Sequence, residues 1–377
     1  MSQESLKRVA VVAGARTPFA KSRGAFEKLG PLELAKHATR GLLERSKLDP
    51  ADVEAITWGA VLPEPGKPNL AREIVFENGM PASVEAQTIS SYCITGLRTV
   101  SSIADAIATG RIEVGIAGGS EALSGATMDT FREPSTGLTM GEHMELTVRE
   151  RNVPRERADQ IALASHQRSV AAQEKLASEI VAVEGVDADT GPRADTSIEA
   201  LSGLTPVFDP EKGTITAGNA SPVTDGGSAI LLMSEERAKA DGREPLAYIT
   251  AQEYAAIDPK DGLLMAPAVA VPRLLERTGI ALGDIDLIEI HEAFAAQVVA
   301  NIDAWEEGLH GKPTGSVDLD RVNVNGGSVA IGHPWSATGG RIVSNLAYEM
   351  ARREAKRGLI SVCAAGAMAG AFLLERD

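Results

Sequence analysis

A chain of 377 residues is long enough to bury a large core, as two domains or as one large α/β unit. Hydrophobic residues make up 44% and aromatic residues only 4%, with 37 glycines, which suits close backbone packing in an α/β protein. A formal net charge of −15 argues against binding nucleic acid through bulk electrostatics, while local basic groups can still hold a phosphate.

The first strand-like run, "VAVVAGA", is broken by "RTPFAKSRG", so it is not the charged-then-apolar pattern of a signal peptide. No other stretch approaches the ~20 apolar residues that a membrane span requires. No span and a cytoplasmic address are therefore expected. Further along, "LDPADVEAITWG" (48–59) is echoed by "IALGDIDLIEIH" (280–291), and "GRIEVGIAGGSEA" (110–122) by "KRGLISVCAAGAM" (356–368). The echoes predict an internal duplication of a βαβ-rich unit with mostly parallel sheets. Between the halves the texture changes. Charged helical patterns such as "RERADQIALASHQRSVAAQEKLASEI" (155–180) and a polar loop precede the glycine-bearing "GTITAGNASPVTDGGSAILLMS" (213–234), whose apolar end returns to the core. The expected organisation is an amino-terminal half over 1–120, an inserted loop domain with a return strand over 121–241, and a carboxyl-terminal half over 242–377.

Two cysteines cannot build a disulfide framework and are expected as free thiols. Cys93 precedes Leu97, Val100, Ile103 and Ile107, which recur at helical spacing, so its thiol is placed in the first turn of a helix. There the helix dipole favours the thiolate. Two readings of Cys93 stand at this point, a buried small apolar residue or a nucleophile. His333 lies on a constrained His-Pro loop between a glycine-rich turn and a helix starting near Ser336. An imidazole beside a thiol is the arrangement that activates sulfur. His291 ends the strand-like "IDLIEI" and Cys363 ends "LISV", and functional groups of parallel sheets gather at such carboxyl ends. The duplication would bring Cys93, His291, His333 and Cys363 to one cleft.

"ARTPFAKSRGAF", "GTITAGNASPVTDG", "HEAFAAQ", "NVNGGSVAIGHPWSATGGR" and "CAAGAMAG" occur in an order that resembles the thiolases over essentially the whole chain. HEAF followed by CAAG looks like the branch that contains the β-subunit of the fatty-acid oxidation trifunctional complex. The resemblance implies a thiolase fold and acyl-CoA chemistry, either thiolytic cleavage of 3-ketoacyl-CoA or the reverse Claisen condensation. By that resemblance Cys93 is the nucleophile, His333 its base, Cys363 the acid/base at the α-carbon, and His291 the residue that orients an oxyanion-hole water. The N–H groups of Cys93 and Ala365 would form the second oxyanion hole. Arg193 matches the position near the CoA nucleotide and Phe208 the adenine side. Ala217 and Ser221 match the pantetheine arm, and Met140, Leu263 and Phe294 the acyl-pocket wall. The resemblance also implies no metal and no resident cofactor, with acyl-CoA and CoA as substrates, a homo-oligomer with the dimer favoured over the tetramer, and a possible β-oxidation partner subunit. The rival readings are a decarboxylating condensing enzyme of the same superfamily, against which Cys363 speaks, and a CoA-thioester binding subunit with little or no activity.

The chain departs from the family pattern in places. Ala367 and Ala369 stand where glycine is common, the nucleophile loop reads C-I-T-G, and Val271 replaces a small polar residue. The segment from "GGSEALS" to "LTMGEHM" is shorter by about one hairpin than the family leads one to expect, and Thr139 stands where a His often precedes the pocket Met.

Overall fold

The computed structural model describes residues 6–377, whose strands form one ten-stranded mixed sheet. In chain order the strands are β1 (Val9–Arg16), β2 (Ala20–Lys21), β3 (Ala55–Gly59), β4 (Glu85–Ile89), β5 (Val114–Ala122), β6 (Thr224–Ser234), β7 (Ala247–Ala256), β8 (Leu287–Ile290), β9 (Arg357–Ala364) and β10 (Met368–Glu375). The longer helices are α1 (Pro31–Ser46), α2 (Leu70–Glu77), α3 (Thr95–Ala108), α4 (Met140–Arg151), α5 (Arg155–Ala171), α6 (Pro267–Thr278), α7 (Ala295–Glu307) and α8 (Trp335–Arg353). β1 reads VAVVAGAR, a near-continuous apolar run, because both of its faces are covered and all its residues but Val12 are buried.

The strand order is β4-β3-β5-β6-β1-β7-β10-β9-β8, with β2 beside β6. Outward from the β1–β7 junction, β1-β6-β5-β3 and β7-β10-β9-β8 follow one pattern. β3 and β8 each come after a single 3-10 turn, Pro50–Asp52 and Leu282–Asp284. This is the duplication that the sequence echoes imply. The expectation of a mostly parallel sheet needs correction: β3–β4, β3–β5 and β8–β9 pair in parallel, and the other six pairs are antiparallel. Parallel pairs survive where helices carry the chain back, as α2 does between β3 and β4. In contrast, the turn at Ala365–Ala367 folds β10 straight back along β9, and β6 returns from the insertion running against both β1 and β5.

The two halves join through a short β1–β7 pairing, Val9↔Ile249, Ala10↔Tyr248 and Val11↔Ala247. α3 and α8 pack against each other, and α8 also lies on β1, β5 and β6 of one half and on β7, β8 and β9 of the other. Leu97, Val100 and Ile103 of α3 and Ile342, Leu346 and Met350 of α8 meet Val362 and Phe372 in this central core. Full burial of each such side chain contributes roughly 1.5–3 kcal/mol. α1 covers the outer face of the first half, and α6 with α7 the outer face of the second. The layers are therefore helix, sheet, helix, sheet, helix.

α3 and α8 cross where Gly96 faces Gly339. A Cβ on Gly339 would fall 2.5 Å from the Leu97 amide nitrogen, and one on Gly96 2.9 Å from the Gly339 Cα. The two backbones touch there, which pulls the turn before α3 against the loop before α8. The inserted segment between β5 and β6 leans on the second half: Met144 and Val148 of α4 and Ala158 and Ala162 of α5 share a core with Leu263, Phe294 and Cys363. α4 starts at a capping box, with the Thr139 hydroxyl accepting from the Glu142 amide while the Glu142 carboxylate accepts from the Thr139 amide.

Candidate active site

Cys93 sits in a 3-10 turn, Tyr92–Ile94, just ahead of α3 instead of inside its first turn. Tyr92 adopts φ +49, the left-handed region that costs a side-chain-bearing residue about 1–2 kcal/mol. The Thr95 hydroxyl locks this turn by accepting from the Ser91 amide at 2.7 Å and donating to the Tyr92 carbonyl at 2.6 Å. His291 follows β8, its amide donating to the Ser361 carbonyl of β9 at 2.8 Å. Cys363 lies near the end of β9. His333 lies on the loop into α8, where Gly332 has φ +108 and an added Cβ would strike Thr224. The strand ends and the α3–α8 crossing thus bring all four residues together.

Sγ of Cys93 and one ring nitrogen from each of His291 and His333 lie within 4.8 Å of one another. The two imidazole centroids are 4.1 Å apart at an interplanar angle of 47°. His333 Nδ1 is 2.6 Å from the Thr338 hydroxyl, and His291 Nδ1 is 2.9 Å from the Ser328 hydroxyl. Both Nε2 atoms are buried without a hydrogen-bond partner. A hydroxyl can donate or accept, so each ring can carry its proton on either nitrogen. Burial, reinforced by Arg341, holds the His333 imidazole down at about 3. Burial, then His333 and Arg341, holds His291 well below the usual histidine range. Both rings are neutral at physiological pH.

Burial pushes the Cys93 thiol up to about 12, against the pull of the Ala365 and Cys93 backbone N–H groups, which both face its sulfur. The expectation of a resting thiolate is thereby corrected, because desolvation outweighs the helix terminus. Cys363 is likewise pushed up, first by burial and then by Cys93. A neutral base thus faces a neutral thiol, and the proton must move as sulfur attacks.

A cavity of about 420 Å³ opens onto this cluster. Cys93, His333, Cys363, Ala365, Met140, Phe208, Ser221 and Phe294 line it. His291 is fully buried and packs at a tilt against His333 behind the wall. Three of the residues expected to contact substrate do not line this cavity. Leu263 is fully buried in the core, and the next residue, Leu264, lines the cavity. Ala217 is exposed in the turn that Thr216 and Asn219 close. Arg193 stands on a surface loop, its side chain 65% exposed and paired with Asp195 at 3.6 Å.

Several residues escaped sequence reasoning. Ser328 and Thr338 flank His333 five positions to either side within one motif, and these hydroxyls were the available signal. Phe131 and Trp335 close one side of the cavity as an edge-to-face pair 5.4 Å apart. Glu133 of the shortened segment accepts from the Gly366 amide at 2.8 Å, tying that segment to the turn after Cys363. Glu121 at the end of β5 accepts from the Val61 amide at 2.6 Å and from the Ser336 hydroxyl at 3.3 Å. Burial raises its carboxyl to about 8.

A thiol that forms a thioester as labile as a thioester substrate, a neutral base, a second thiol and convergent N–H groups belong to the class of sites that pass acyl groups between sulfur atoms. Comparison with known proteins narrows this class. The thiolase N-terminal domain model matches residues 9–143 and 128–236, and the thiolase C-terminal domain model matches 243–376. A 3-ketoacyl-CoA thiolase of Shewanella piezotolerans is 38% identical over 98% of this chain and 97% of its own length. The alignment spans 424 positions, more than the chain contains, so that relative carries segments this chain lacks. Among solved structures, the acetyl-CoA acetyltransferase of Bacillus anthracis superposes with a TM-score of 0.89 at 33% identity, covering 98% of this chain and 99% of that one. Human mitochondrial 3-ketoacyl-CoA thiolase gives a TM-score of 0.89 at 29% identity, covering 99% and 100%. The chain belongs to the thiolase family.

Proposed function

We propose that this enzyme cleaves 3-ketoacyl-CoA with CoA, or runs the reverse Claisen condensation of acyl-CoA with acetyl-CoA, through an acyl-Cys93 intermediate. The observation that carries the reading is the convergence of two thiols and the neutral His333 imidazole on one apolar cavity, with the neutral His291 imidazole packed behind His333. In cleavage, His333 Nε2 takes the Cys93 proton as Sγ attacks the ketone carbon. The Cys93 and Ala365 N–H groups hold the oxygen that becomes negative, where a preorganised donor is worth about 2.7–4 kcal/mol. The C2–C3 bond then breaks, its electron pair passes into the thioester enolate, and Cys363 donates a proton to C2 to release acetyl-CoA. His333 and a water held by His291 bind the enolate oxygen. CoA thiol, deprotonated by Cys363, next attacks acyl-Cys93, and the returning proton restores the thiol.

Ser221 and Ala217 follow the pantetheine arm and Phe208 the adenine side, and Arg193, at the surface, meets the nucleotide outside the cavity. Coenzyme A is a substrate, and the reaction requires no resident cofactor or metal. The division at 1–120, 121–241 and 242–377, a cytoplasmic address, a homodimer and a β-oxidation partner subunit complete the proposal. Mixing with acetoacetyl-CoA is expected to add one acetyl group to the native protein by intact mass, removed by free CoA and never formed on Cys93→Ala. A native protein that gains no acetyl group would overturn the proposal.

A further inference from the structure

The geometry points to a second capacity of the same cluster: we infer that Cys93, His291 and His333 form a reversible binding site for a soft divalent cation, zinc in the first place. Their donor atoms lie within 4.8 Å of one another, and they are the one such group of three among the described residues. Zinc with sulfur at about 2.3 Å and nitrogen at about 2.0–2.1 Å places tetrahedral ligands roughly 3.5 Å apart. Closing the cluster on an ion therefore requires side-chain shifts on the order of an ångström, not a new backbone.

The state of the ligands favours this. Both Nε2 atoms are buried and unpartnered, so no hydrogen bond has to be broken to free them. Each ring is already held through Nδ1 by a hydroxyl, Ser328 or Thr338, which is the outer hydrogen bond that orients metal-binding imidazoles. For ligation Nδ1 carries the proton and donates to the hydroxyl oxygen. Ser328 Oγ also accepts from Arg341 at 3.2 Å. The set supplies three protein donors, and the cavity that Cys93 and His333 line leaves a fourth position for water, the open form of a zinc site. Sulfur and imidazole select zinc, copper(I) or cobalt over magnesium or calcium. As the Zn–S bond forms, the Cys93 proton leaves to solvent and no electron is transferred.

Metal binding stands independently of the proposed reaction. Its consequence, reversible inhibition by occupying the nucleophile and its base, rests on that reading. The test uses the full-length protein freed of metal with a chelator and titrated with Zn²⁺ against a chromophoric chelator, without substrate. One Zn²⁺ per chain is expected. Thr338→Val should weaken binding about 10-fold, at the low end for a lost outer hydrogen bond, and Cys93→Ala should weaken it further. Co²⁺ should give a sulfur-to-metal charge-transfer band in the near ultraviolet that is absent from Cys93→Ala. Unchanged zinc affinity in Cys93→Ala, or a cobalt spectrum without the sulfur band, would overturn the inference. Acetylation of the metal-free protein by acetoacetyl-CoA is measured in parallel. An acetyl adduct without zinc binding defeats this inference alone, and zinc binding without an adduct defeats the acyl-transfer proposal alone.

Discussion

Cys93 and Cys363 share a cavity and an elevated pKa, yet the proposed reaction asks different things of them. Cys93 has His333 and two N–H groups beside it, whereas Cys363 lines the same cavity and, in the proposed reaction, exchanges a proton with substrate carbon. Cys363→Ser should therefore lower turnover by about 10²–10⁴-fold, the usual worth of a positioned acid/base, while single-turnover acylation of Cys93 persists. Equal loss of both steps would merge the two roles. Glu121 carries a separate prediction about pH. Its carboxyl is held at about 8 by burial, against an ordinary value of 4.5. Between those values the unfolded chain releases a proton that the folded chain keeps, so the stability contributed at low pH is lost as pH rises. The effect is on the order of 1 kcal/mol per pH unit at most. Glu121→Gln should thus gain in melting temperature relative to the native protein from pH 5 to pH 8. A pH-independent difference would show that Glu121 is ionised in the fold.

At the scale of elements, the α3–α8 crossing sets how far Cys93 stands from His333. A methyl group at Gly339 meets backbone at 2.5 Å, which no side-chain rotation relieves. Gly339→Ala should cost about 1–3 kcal/mol by overpacking. It should slow acylation by up to about 100-fold, as a displacement near 1 Å does, with kcat falling more than KM rises. Gly283→Ala, with nothing within 4 Å of the added carbon, is the control that should change neither. Unimpaired acylation in Gly339→Ala would separate the crossing from the chemistry. The positions of the four reactive residues were readable because each adjoins an apolar run or a glycine-marked turn. Sheet direction was less readable: the β9–β10 turn is Ala365-Gly366-Ala367, with none of the Asn-Gly or Asp-Gly chemistry that signals a hairpin. Ala367 takes φ +52 there, a strain of about 1–2 kcal/mol that burial of its methyl partly offsets. The hydroxyls on the two imidazoles and the Glu133 link depend on how separate loops meet in space, which residue spacing does not encode.

For the whole molecule, the sheet leaves one edge open. β8 is buried along its length at one end, whereas β4 at the other end has no strand beyond it among the described residues and only exposed or half-buried residues. An unpaired edge without proline is a template for another strand. Phe76 of α2, which packs on β4, is 54% exposed. Cys93 lies only four residues beyond the end of β4, so a partner on this edge would also fix the turn that carries the nucleophile. The same strand on two copies makes a self-complementary two-fold interface. The segment between Gly125 and Met140, shorter by about one hairpin than the family leads one to expect, is folded inward by the Arg132–Thr139 bridge and the Glu133–Gly366 hydrogen bond, so we expect no further pairing of dimers through it. Light scattering should accordingly give twice the chain mass of 39.5 kDa. Phe76→Glu should shift the protein toward monomer and lower acylation with it, because the Cys93 turn loses its support. A stable tetramer at micromolar protein would refute the argument from the shortened segment, and a native monomer would refute pairing through β4.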